Sequence, residues 1–478
     1  ELFDAVPRAA LHTEYTTMIN SPYLNAASYL KNCYLCFNGT GSENSVYVIG
    51  FTHVNDGVDL YQSRHSELCY DSYMVDESNK VFFSINCEDS HDLWFCRNMV
   101  GCQSCFGSMN QRNKSYYLFN ESVGKEAYQR FMKEFQSGSY SAVLAARTNA
   151  EALWQKNPNR FTLAINTVNS NGEHIEHTKN VHDSYFVHDS ENLRYCQMIE
   201  EANDSYDFTI IGRKAELIYE SSVCVFEVQN IKFSIVCISG ANAIEYSVNC
   251  TAATNLFGCA GLQKKQYCIL NKQYPKQEYE ALVAKIKKQM NELPYTDQQG
   301  RVYRYGEFFP PEFSPYAYNE TIAQDFSPLT KEQAQEKGYT WREPEIREYQ
   351  PTINAGALPN DIKEVSDAIT KEIIECAQCQ KAYRIIPLEL QFYRRIPLPL
   401  PRLCPECRFN RRFTFVNPPR FWPDQCHCVG ATDTSGIYRN VGNHRHGQTP
   451  CPNKFLTSYP PERRGIVYCE SCYQQEVV

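Results

Sequence analysis

Short apolar or aromatic pairs recur along the first part of the chain, beginning at Cys33, Val46, Val58, Leu68, Val81, Leu93, Cys105 and Tyr116, in steps of 10 to 13 residues. The rhythm restarts at Leu193 and runs through Tyr206, Ile218, Ile231, Ile244, Leu256 and Tyr267, with Asn192, Asn230 or Asn255 just ahead of several pairs. Short strands separated by turns at a fixed spacing predict a β-solenoid, in which each coil buries its inner residues only against its neighbours. A coil this small has a narrow interior and selects compact side chains. Cys87, Cys96, Cys224, Cys237, Cys250 and Cys259 fit that role as small buried hydrophobes.

The two runs are copies of one another. Phe106 to Asn120 aligns without a gap on Phe257 to Asn271, Tyr128 then matches Tyr279, and Lys31-Asn32 with Ser42-Glu43-Asn44 returns as Lys179-Asn180 with Ser190-Glu191-Asn192. Each copy ends in a helical pattern, Lys125 to Phe135 and Pro275 to Leu293, the second with Tyr279, Leu282, Ile286 and Met290 along one face. Such helices cap a solenoid end, whereas an uncovered end invites pairing with another chain. The expected organisation is a first solenoid with its cap over 1–156, a second over 157–293, a connector over 294–375 and a metal-binding module over 376–478.

The connector is rich in proline and tyrosine, and its clusters Tyr303 to Phe309 and Phe313 to Tyr318 predict that it packs on a surface. It closes with a predicted amphipathic helix, Asp361 to Glu375, that turns Ile362, Val365, Ile369 and Ile373 inward.

The doublets Cys376-x2-Cys379 and Cys404-x2-Cys407 have the spacing of a zinc ribbon, in which two tight turns each present two sulfurs to one tetrahedral ion. Four thiolates leave no open coordination position, so the predicted role is structural. A second site is expected from Cys469-x2-Cys472, with Cys451 as third ligand and either Cys426 or Cys428 as fourth, giving two zinc ions in all. His444 and His446 read as a solvated loop. Cys33-x2-Cys36 and Cys102-x2-Cys105 have the same spacing but lie about six coils apart, or ~29 Å at ~4.8 Å per coil, which excludes a shared ion.

A net charge of -8 argues against a wholly basic nucleic-acid binder. Within the metal module, however, residues 380–425 carry a local charge of +6, from arginines that include Arg384, Arg394, Arg395, Arg408, Arg411 and Arg412. They are interleaved with Tyr383, Phe392, Tyr393, Phe409, Phe413, Phe415 and Trp422, and arginine with aromatic faces can hold phosphate and stack bases. The competing assignment is a small ribbon core whose arginines pair with the acidic solenoid. No stretch is apolar enough to span a membrane, and CxxC thiols in a large chain point to a reducing cytoplasm. Surface display or secretion would need a targeting segment ahead of Glu1.

The segment Tyr383 to Arg408, followed by Ile466-Val-Tyr-Cys-Glu-Ser-Cys-Tyr-Gln474, resembles zinc-ribbon proteins of candidate-phyla (Patescibacteria) bacteria, a likeness that extends to Lys31 to Phe37 and Ser42 to Asn44. Simpler members of that family have a CxxC where this chain has Cys426 or Cys428 and then Cys451. The resemblance implies a knuckle opened by an insertion, supports Cys451 as a ligand, and assigns no activity. The expected function is therefore a non-enzymatic zinc-binding scaffold that self-associates or docks on a larger assembly. The alternatives are RNA or ribosome binding through the basic strip and, behind it, a polysaccharide-active β-helix enzyme using acids such as Asp56, Asp59, Glu67 and Asp71.

Overall fold

The computed structural model describes every residue except 1, 8–10, 211, 344, 346–348, 464 and 478. Two parallel β-solenoids account for most of the strand content, a 14-stranded sheet system over residues 18–122 and a 15-stranded one over 164–273. In the first, Val46 pairs with Val58 and Val58 with Tyr70, so each coil advances the chain by 12 residues. Within a coil the backbone turns left-handed at every third residue, as at Tyr47, Gly50, His53, Asp56, Asp59, Gln62, His65 and Leu68. The residue after each of these corners points inward: Val48, Phe51, Val54, Gly57, Leu60, Ser63, Ser66 and Cys69. Four corners per coil make a square tube with sides of three residues, about 10 Å long at ~3.3 Å per residue.

That geometry explains the interior chemistry. A left-handed corner turns backbone groups inward, where they need partners. Ser72 Oγ donates to the Tyr70 carbonyl at 2.8 Å and accepts from the Ser84 amide at 3.1 Å, and Ser84 does the same for Phe82 and Cys96 at 2.8 and 2.9 Å. The thiols are weaker versions of the same device: Cys96 Sγ contacts the carbonyls of Trp94 and Cys105 at 3.3 and 3.4 Å. All the solenoid cysteines are buried and unpaired, as expected from their role as compact filling. The repeated dipeptides stack one coil apart on the outside. Lys31 meets Glu43 and Lys179 meets Glu191 at 2.6 Å in both copies, beside the asparagine ladders Asn20-Asn32-Asn44 and Asn169-Asn180-Asn192. The second solenoid departs from the square in three coils. Adjacent left-handed residues at Arg213-Lys214, Phe226-Glu227 and Ser239-Gly240 lengthen the repeat to 13, with Glu216 above Gln229 and Gln229 above Asn242.

Helix α1 (Lys125–Glu134) caps the first solenoid, placing Phe131 and the following Phe135 against Phe106. Helix α2 (Tyr140–Gln155), which was not anticipated, is capped by Ser139 and buries Val143, Ala146, Ala150 and Trp154 along one stripe. Helix α3 (Lys276–Glu292) caps the second solenoid, and the pairs Tyr116–Tyr128 and Tyr267–Tyr279 repeat the same edge contact at 6.0 and 5.7 Å. The connector packs as expected: Tyr305 and Phe309 lie on Tyr246, and Phe326 sits between Phe186 and Phe413.

The predicted helix over 361–375 is instead two 3-10 turns, Ile362–Glu364 and Asp367–Lys371. The Asp361 carboxylate caps the first turn by accepting from the Lys363 amide. The chain then enters a three-stranded sheet of Ile353–Asn354, Ile374–Glu375 and Ala382–Tyr383, so Ile374 rather than Ile373 is fully buried. Helices α4 (Pro387–Arg395) and α5 (Pro405–Phe413) follow, then the hairpin Trp422–Gln425 with Lys454–Thr457, and finally α6 (Glu470–Val477).

Candidate metal centres and the buried arginine interface

The first centre lies where the small sheet meets α5. Cys376 and Cys379 sit on the knuckle between two strands, which closes through a left-handed Gln380. Cys404 is the N-cap of α5, Pro405 is its first residue, and Cys407 lies one turn on. All four sulfurs fall within 4.8 Å of one another, with Cys379 and Cys404 3.7 Å apart. The Cys404 amide donates to Cys376 Sγ at 3.3 Å and the Cys407 amide to Cys404 Sγ at 3.5 Å, contacts that favour thiolate. Four converging thiols with amide donors fit a tetrahedral zinc ion.

The second centre comprises Cys426, Cys451, Cys469 and Cys472, again within 4.8 Å and all buried. Cys451 and Cys469 are 3.8 Å apart, the Cys469 amide donates to Cys426 Sγ at 3.2 Å, and Asn453 Nδ2 donates to Cys469 Sγ at 3.2 Å. The choice between Cys426 and Cys428 falls to Cys426. Cys428 faces His444 Nδ1 at 3.5 Å. His444 is not on a solvated loop, as the sequence suggested: it is only 8% exposed and bonds Glu476 at 2.7 Å. The inward pairs Cys33/Cys36 and Cys102/Cys105 stay far apart inside the tube and join no metal-competent group among the described residues.

The basic strip faces the solenoid. One corner column of the first tube reads Tyr23, Leu35, Tyr47, Asp59, Asp71, Phe83 and Phe95, with two aspartates set among mostly aromatic residues. Arg408 Nε lies 2.8 Å from Asp59 and its Nη2 3.0 Å from Glu389, with the guanidinium over the Tyr47 ring at 5.1 Å. Arg412 bridges Asp59 and Asp71 at 3.3 and 3.0 Å, while Arg411 and Arg147 of α2 take Asp71 at 2.5 and 2.6 Å. Asp59, Asp71, Glu389, Arg408 and Arg412 are all buried. Around this network Phe409 and Phe413 pack edge-on against Tyr61 and Tyr393 edge-on against Tyr70, with Phe392 tilted on the same ring.

Arg408 and Arg412 are therefore buried away from the predicted nucleic-acid surface, and the half-buried Arg411 is paired with Asp71 of the same chain. Arg395 pairs with Asp56 at 3.0 Å and Arg394 with Asp367 at 2.5 Å, both at the surface. Arg384 alone of the six is exposed and outside any ion pair among the described residues. The acids considered for catalysis are engaged too: Asp56, Asp59 and Asp71 by arginines and Glu67 by Asn79.

The module also grips the second solenoid. Asn159–Arg160 pairs in parallel with Val467–Tyr468, Arg160 forks onto Glu470 at 2.6 and 2.7 Å, and Asn417 bonds the buried Glu173 at 2.9 Å. Sequence reasoning missed Arg147, Glu389 and the pairing of Asp59 with Asp71. The signal available was the 12-residue spacing of the two aspartates within an otherwise apolar column.

No protein-family model matches the chain, and no curated protein is significantly similar to it. Among solved structures, a protein from Desulfovibrio desulfuricans G20 described as an acetyltransferase aligns at 10% identity over 58% of this chain and 75% of its own, with a TM-score of 0.12. The UDP-N-acetylglucosamine O-acyltransferase of Moraxella catarrhalis RH4 aligns at 9% identity over 57% and 84%, with a TM-score of 0.10. Scores this low carry no argument about fold or activity. Among the described residues, no helix is long and apolar enough to cross a membrane.

Proposed function

We propose that the protein is a non-enzymatic scaffold in which zinc fixes a ribbon module that clamps two solenoids into one rigid body. The observation that carries this reading is the buried network of Arg408, Arg411, Arg412 and Arg147 with Asp59, Asp71 and Glu389, which directs the module's strongest charges inward. Two closed four-thiol groups support metal used for shape. An open groove of about 580 Å³ is lined by Phe161, Phe421 and Leu456 together with Arg160 and Glu470, which already bond each other.

The partner in this reading is a second copy or a larger protein assembly. The first coil supports it: among the described residues Met18–Ile19 is paired on one side only, and Ile19, Tyr23 and Tyr29 are exposed around it, Tyr23 at 69%. Native mass spectrometry with RNA analysis tests the reading. The expected result is a defined oligomer or protein complex without bound RNA. RNA retained in a salt-dependent manner, and lost in an Arg384→Ala, Arg394→Ala, Arg395→Ala variant, would replace the scaffold by a nucleic-acid binder.

A further inference from the structure

We propose that the loop between Cys428 and Cys451 builds a further zinc site fused to the second centre, so that the Cys472 thiolate bridges two ions in a dinuclear cluster. The proposal rests on the ribbon centres holding zinc, as above. It adds Cys428, His444 and His446 as ligands with one role each.

Four ligand atoms, from Cys428, His444, His446 and Cys472, lie within 4.8 Å of one another. Cys428 Sγ is 3.5 Å from His444 Nδ1, and Cys472 Sγ is 3.3 Å from His446 Nε2. Cys472 belongs equally to the four-thiol group of the second centre, so the two groups share a vertex. A thiolate has lone pairs for two metals, and sharing it lets seven side chains complete two tetrahedral shells.

The surroundings orient each ligand. His444 Nε2 donates to Glu476 Oε1 at 2.7 Å, and both side chains are fully buried. His446 Nδ1 donates to the Thr449 carbonyl at 2.6 Å. Each ring thus commits its far nitrogen as donor and turns the lone pair of the near one toward the thiols, the arrangement that fixes the tautomer of metal-bound histidine. Glu476 is held in turn by the amides of Val441 and Gly442, both at 2.9 Å, and by the Tyr438 hydroxyl. Asn440 donates to Cys428 Sγ at 3.2 Å while accepting from Tyr468. A thiol hydrogen-bonded to one imidazole would need only two of these four groups. Charge favours two ions as well, since five clustered thiolates balanced by two dications leave a single net negative charge in place of three around one ion.

Zinc counting on the intact protein by native mass spectrometry, joined to zinc X-ray absorption, tests the proposal. Three zinc ions per chain are expected, with an imidazole shell at ~2.0 to 2.1 Å and a zinc–zinc distance of roughly 3.5 to 4 Å. A His444→Gln, His446→Gln variant should hold two, with all-sulfur coordination. Two zinc ions in both proteins, with sulfur alone around the metal, would overturn the shared site and leave the ribbon reading standing. Fewer than two in the unaltered protein would overturn both. The absorption spectrum of the unaltered protein decides the matter even if the variant fails to fold.

Discussion

Asp71 accepts three guanidinium groups at one left-handed corner, from Arg411, Arg147 and Arg412. Removing its charge strands those cations in a desolvated site, so Asp71→Asn is expected to lower stability by about 3 to 5 kcal/mol. The exposed pair Lys31–Glu43 is a control, with Lys31→Ala expected to cost at most about 1 kcal/mol. Urea unfolding of the two variants separates these magnitudes. Burial alone would raise the Asp71 carboxyl, but Arg411, Arg147 and Arg412 together hold it below the ordinary carboxylate range. A carboxyl depressed in the folded state stabilises above its unfolded value of ~3.9, and that contribution is lost as pH falls through the folded value. The docked module should therefore keep this contribution from roughly pH 8 to 5 and lose it only below about pH 4. A stability transition of the metal-loaded interface near neutral pH would speak against the assignment.

At the scale of the element, the tube depends on its inner hydroxyls as much as on its aliphatic side chains. Ser84→Ala removes the acceptor for the Cys96 amide and the donor to the Phe82 carbonyl, and is expected to cost about 1 to 3 kcal/mol although it deletes one atom. Thiol-reactive reagents offer a second check. Solenoid cysteines should react only on unfolding, whereas the ribbon thiols should become reactive as soon as a chelator removes metal. The coil repeat was legible in the sequence because apolar pairs return every dozen residues, and so were both capping helices. The three-residue sub-period was not, because Ser63, Ser66 and Cys69 occupy core positions that a hydrophobic reading treats as polar or ambiguous. The helix expected over 361–375 failed because its apolar spacing was right while pairing of Ile374–Glu375 in the small sheet determined the backbone at its end.

Across the whole molecule, the ribbon module is wedged against both solenoids, by Asp59 and Asp71 on one side and by Glu173 and Arg160 on the other. Salt screens exposed charges strongly and buried ones weakly. Raising ionic strength to about 1 M should therefore leave the module docked, as judged by small-angle scattering, while any binding through Arg384 or Arg394 would fade. The first four-cysteine group was legible from cysteine spacing alone. The docking was not, because a strip of arginines and aromatics looks the same whether it meets a nucleic acid or an acidic corner column hundreds of residues away. Likewise, His444 gains its place only when the loop folds over Glu476.

Hydrogen exchange of the metal-loaded and chelated protein tests the central claim, that metal serves shape by holding a clamp on a self-standing tube. The account predicts that chelation strips protection from residues 374–413 and 422–477 and from their contact strand Asn159–Arg160, while the coils from Val46 to Leu118 keep theirs. Protection unchanged by chelation in the module, or lost throughout both solenoids at once, would contradict it.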